Sequence, residues 1–96
     1  MAMFQMEVED TFFFKDGTTV FAGPIVFNGP EKLIRECDCE IVQNNKVKAS
    51  LRIEGEMQPK RRPGVISSAR ALSTRESVDL AALGLGRGGF LLRSKN

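Results

Sequence analysis

A chain of 96 residues, 42% hydrophobic and 27% charged, has material for one domain around one modest core, and its composition fits neither a disordered chain nor a membrane span. His, Tyr and Trp are all absent, which removes the usual general base, the commonest metal ligand and phenol chemistry, so no enzyme is expected. The net charge of +2 conceals an asymmetry: residues 1–48 carry 5 Lys/Arg against 8 Asp/Glu, and residues 49–96 carry 9 against 4. Such a split turns the protein toward an anionic partner unless the fold mixes the halves.

The opening MAMFQMEVED has neither the basic start nor the apolar run of a signal peptide, and no stretch nears the roughly 18 apolar residues of a membrane helix. Together with only two cysteines this predicts a cytoplasmic protein without a disulfide framework. From Met3 to Phe14, Met6 and Val8 alternate with Glu7 and Glu9 before Phe12, Phe13 and Phe14, the period of a half-buried strand. Pleating sends those three rings to both faces, so at least one is expected outside the core. Lys15-Asp16-Gly17-Thr18 reads as a turn, and Thr19 to Phe27 as the returning strand of a hairpin. Pro24 cannot donate to a ladder and predicts a bulge, an edge or the end of pairing just after Gly23.

Asn28-Gly29-Pro30 is the next turn. Beyond it Leu33, Cys37, Cys39 and Ile41 share one parity and Glu36, Asp38 and Glu40 the other. Cys37 and Cys39 therefore face the same way. They read as core thiols, since two sulfurs without a His do not complete a metal site and a disulfide two residues apart on a strand is strained. Asn44-Asn45 is a turn, followed by the cleanest strand pattern, Val47, Ala49, Leu51 and Ile53 alternating with Lys48, Ser50 and Arg52. Residues 58–64, QPKRRPG, predict an exposed loop carrying Lys60, Arg61 and Arg62.

Val65 to Leu72 predicts another strand. Residues 73–84 read two ways: Ser73 and Glu76 have capping-box spacing, whereas Val78, Leu80 and Ala82 alternate. Gly84 to Gly89 spells GxGxxG, but no helix or ribose-binding acid has room to follow, so it reads as a glycine-rich turn and no nucleotide is expected. Phe90, Leu91 and Leu92 form the last apolar run, with residues 93–96 as a polar tail. Many short strands and little helix predict an all-β fold, a small antiparallel β-barrel spanning residues 1–96.

The stretch Phe4 to Ile25 resembles the start of the second domain, the β-barrel, of elongation factor Tu and related translational GTPases, on Val8, Glu9, Asp10, Gly17, Thr19, Val20 and Gly23. Residues 37–42 and 70–85 are similar to later strands of that domain. Pro24 stands where the family's next strand opens with Arg, and the basic residue that the family sets between glycines before the Thr-Val run is absent. No GxxxxGK[ST] is present to hold nucleotide phosphates, so the resemblance is to a stand-alone barrel without the GTPase domain. It implies RNA or the ribosome as partner.

Lys60, Arg61 and Arg62 are the RNA-binding candidates on charge, with Arg87 in Arg-Gly-Gly as a further one. The competing expectation is a protein-interaction or self-assembling module, a homodimer included, using strand edges and exposed Phe. No metal or other cofactor is expected. Glu9 and Asp10, adjacent on a strand, face opposite ways and make no catalytic pair.

Overall fold

In a computed structural model of the chain, residues 3–29, 34–57 and 70–95 are described, and all their regular structure is β. Nine strands follow in order: β1 Phe4–Val8, β2 Asp10–Phe13, β3 Thr19–Gly23, β4 Ile25–Phe27, β5 Cys37–Gln43, β6 Lys46–Ile53, β7 Gly55–Met57, β8 Arg70–Thr74 and β9 Phe90–Ser94. They form two antiparallel sheets, one in the order β4-β1-β9-β5-β6 and the other β2-β3-β8-β7. The all-β expectation holds.

The first predicted strand bends at Glu9 and passes from one sheet into the other, and its partner does the same at Pro24. Pairing does not end there, because the Pro24 carbonyl accepts from Glu7 N at 3.0 Å and the Ala22 carbonyl from Glu9 N at 2.8 Å. Glu9 and Asp10 both oppose Ala22, which is a bulge that kinks the strand. A second corner lies at Glu54 between β6 and β7, where Glu54 N donates to the Ser73 carbonyl at 2.8 Å. The ladders thus carry hydrogen bonding around both corners, a barrel-like arrangement made by strands that switch sheets.

The two local turns form where their residue types require. In the first, Asp16 Oδ1 accepts from Thr18 N at 2.9 Å and Gly17 takes φ +93°. In the second, Asn44 and Asn45 have φ of 53° and 63°, the conformation of a two-residue hairpin turn. The core follows the alternation. Phe4, Met6 and Val8 of β1, Phe21 of β3, Cys39 and Ile41 of β5, Leu51 and Ile53 of β6 and Phe90 and Leu92 of β9 all point inward. Phe21 and Phe90 meet edge to face, with centroids 6.1 Å apart. A register shift at Ile41/Val42 buries both neighbours and leaves Val47 exposed despite its inward parity.

Two expectations need correction. Residues 75–84 are neither helix nor strand: after β8 the chain bends and makes one tight turn, in which the Asp79 carboxylate accepts from Ala82 N at 3.1 Å and Leu85 N donates to the Leu80 carbonyl at 2.8 Å. Ser73 does not cap it; Ser73 sits in β8, and the Glu76 carboxylate accepts the backbone N–H of Arg52 instead. Nor do residues 93–96 begin a tail, because Arg93 and Ser94 complete β9. Arg93 opposes Gln5, and the Ser94 hydroxyl accepts from Phe4 N at 3.0 Å. The polar side chains there mark a sheet surface rather than the end of order. Leu33, Pro30, the 58–64 loop and the first half of the predicted 65–72 strand lie outside the described residues.

Candidate functional site: an aromatic and basic face on the first hairpin

β2 is an outer strand of the four-stranded sheet, with β3 as its single strand neighbour among the described residues. Its inward residue is Thr11, fully buried, while Phe12, Phe13 and the following Phe14 are exposed at 42%, 55% and 54%. Pleating alone predicts one exposed ring in such a run; here all three are outside, because the hairpin extends past the core. The pairing ends at Phe13↔Thr19, and Phe14 begins the turn with its N–H donating to the Thr18 carbonyl at 2.9 Å. The large apolar side chains at this tip are exposed among the described residues, an arrangement that marks contact surfaces.

Arg87 closes on the free edge of β2. Its Nε lies 3.0 Å from Asp10 Oδ1 and donates to the Thr11 carbonyl at 3.1 Å. The Thr11 hydroxyl donates back to the Arg87 carbonyl at 2.7 Å, and the guanidinium carbon stands 5.7 Å from the Phe12 ring centroid, within cation–π range. Next to it an open groove of about 350 Å³ is lined by Phe13, Val78, Leu80, Leu85, Arg87 and Asp79 among others. Arg87 thus stands between the exposed Phe12 ring, on one side of the strand, and the apolar groove that Phe13 lines.

Of the residues singled out by charge, Arg87 falls at this hairpin. Lys60, Arg61 and Arg62 lie outside the described residues. What the sequence did not reveal is the apposition of the 78–87 segment to Phe12 and Phe13. The Thr11–Arg87 bond that secures it spans 76 positions, and no local pattern encodes it.

A second feature lies at the start of β5. Cys37 and Cys39 face the same way, with Sγ atoms 3.6 Å apart, and both are free thiols. The hydrogen bond with Cys39 holds the Cys37 thiol below its ordinary range, whereas that same bond and burial push the Cys39 thiol up. Cys37 is therefore the first of the pair to ionise.

Among the described residues, no group of three or more His, Cys, Asp or Glu could hold a metal ion, and no helix is long and apolar enough to cross a membrane. No family model, no curated protein and no solved structure matches this chain.

Proposed function

We propose that this chain is a non-enzymatic binding module that takes unpaired RNA, free or on the ribosome, on the hairpin tip that carries Phe12, Phe13 and Phe14, with Arg87 beside it. The observation that carries this reading is the run of three exposed rings at that tip, with a guanidinium over Phe12 and an open groove lined by Phe13. Bases stack on exposed aromatic rings at about 1–3 kcal/mol each, with little regard to sequence. Lys15 at the hairpin turn adds a cation to the same tip. Lys60, Arg61 and Arg62, which follow β7 in the chain, supply phosphate neutralisation in this reading. The resemblance of residues 4–25 to the second domain of elongation factor Tu supports the same partner class.

An amide-shift titration with a short RNA hairpin at low and moderate salt tests it. Salt-sensitive shifts at residues 12–15 and 87 are expected. Phe13→Ala and Phe14→Ala, which remove no core packing, should each weaken binding about 5- to 100-fold. Replacing Lys60, Arg61 and Arg62 by Ala should flatten the slope of log affinity against log salt by about 2. No shifts at low salt would overturn the RNA reading.

One observation favours a second reading, a protein partner or a second copy of the chain: among the described residues no strand pairs the outer edge of β2, and beyond the Arg87 contact at Thr11 that strand carries exposed Phe12 and Phe13. Edge strands of this kind accept an added strand. A dimer by light scattering that Phe13→Ala dissociates would select this reading over the first.

A further inference from the structure

Cys37 and Cys39 make a preformed pair in a part of the core that otherwise holds hydrocarbon. β5 sets Cys37 opposite Ile53 and Cys39 opposite Leu51, and the pleat turns both thiols to one face. Cys39 is fully buried, while Cys37, the first residue of the strand, is half-buried and leaves the pair reachable from solvent. Among the described residues, the hydrogen bonds of the two sulfurs join the thiols to each other and Cys39 Sγ to the Cys37 carbonyl at 3.9 Å. Arg52, Glu36 and Asp38 form their ion pairs on the outer face, with no hydrogen bond from them to either sulfur among the described residues.

The spacing is that of a chelate. Two sulfurs held at about 2.3 Å by one pyramidal trivalent centre stand about 3.5 Å apart, and across a linear two-coordinate copper ion about 4.5 Å; the observed 3.6 Å matches the first, and the second requires the half-exposed Cys37 side chain to turn outward. Four-ligand ions such as zinc need donors that the described residues do not assemble. A soft centre satisfied by two sulfurs does not. We propose that Cys37 and Cys39 form a two-thiol site for a single soft, thiophilic centre, the chemistry shared by monovalent copper and trivalent arsenic.

With a mono-organic arsenical the balance is simple. The two S–H bonds and the As=O bond are replaced by two As–S bonds, and the two thiol protons leave with the oxygen as one water. The product is neutral, which suits the apolar surroundings. With monovalent copper both thiol protons go to solvent and the complex carries one negative charge, which the half-exposed Cys37 side leaves partly solvated.

The test uses the whole reduced chain, with phenylarsine oxide and, anaerobically, monovalent copper held by a competing chelator. Intact mass is expected to show one arsenical per chain with both thiols closed to alkylation, and copper titration one equivalent per chain. Melting temperature should rise with each, since the ligand binds the folded pair. Cys37→Ser, a change at a half-exposed position, should keep the fold and abolish both. Uptake of one centre without the other would assign the site to that source. Uptake of neither, equal uptake by Cys37→Ser, or a fall in melting temperature showing that only the unfolded chain binds, would overturn the proposal.

Discussion

Arg87 and Thr11 tie the glycine-rich turn to the edge of β2 through reciprocal bonds, the hydroxyl of one to the carbonyl of the other and the guanidinium back to the Thr11 carbonyl. Asp10 and the Phe12 ring complete the arrangement. Its outer part is exposed, where an ion pair contributes about 0.2–1 kcal/mol and a cation–π contact a similar amount. The inner part is different, because Thr11 is fully buried. Thr11→Val keeps the shape but leaves the Arg87 carbonyl without its hydroxyl donor. A loss of about 1–3 kcal/mol in urea-unfolding free energy is expected, with larger amide shifts at residues 86–89 than elsewhere. A loss confined to a few tenths of a kcal/mol would mean that water replaces the hydroxyl.

At the scale of elements, the corner at Glu9 depends on two glycines from different parts of the chain. A Cβ on Gly23 would collide with the Glu7 carbonyl, and one on Gly88 with the backbone of Glu9. The bend needs close backbone approach from both sides. Gly23→Ala should therefore cost about 1–3 kcal/mol as an overpacking change, measured by urea unfolding, whereas Gly86→Ala, whose nearest neighbour stands at the limit of contact, should cost much less. The sequence made part of this legible: Pro24 flagged a discontinuity after Gly23, and the Asn44-Asn45 turn with its β6 alternation was readable from residue types alone. It left residues 75–84 ambiguous for a physical reason. The bonds that settle that segment come from elsewhere, Glu76 accepting from Arg52 N and the Thr74 hydroxyl donating to the Arg52 carbonyl at 2.7 Å. Local propensity has no access to either.

For the whole molecule, strand order decides what the charge asymmetry means. β1 lies beside β9, β3 beside β8, and β5 beside β9, so the acidic first half and the basic second half interleave. Ion pairs join them directly: Arg93 to Glu40 at 2.6 Å, Arg52 to Glu36 at 2.6 Å and Arg87 to Asp10 at 3.0 Å. Among the described residues these pairs mix the two halves, so the excess of positive charge in the second half rests on cations such as Lys60, Arg61 and Arg62. The same order predicts local stability. Amide exchange should be slowest in β1, β9 and β5, which sit inside the five-stranded sheet, and fastest in β4, at its edge with Val26 exposed. Equal protection of β4 and β9 would show that something covers the edge in solution.

By itself the sequence determined the all-β class, the two tight turns, the inward parity of β1, β5 and β6 and the shared face of the two cysteines. These follow from the pleat and from positive φ, which act over one to four residues. Only the tertiary structure decided that strands switch sheets at Glu9 and Glu54, that all three Phe rings are exposed, that Arg87 meets Phe12, and that the sulfurs come to 3.6 Å. Each of these but the last depends on neighbours brought together across tens of residues. The last depends on side-chain rotamers, which the spacing of two letters leaves open.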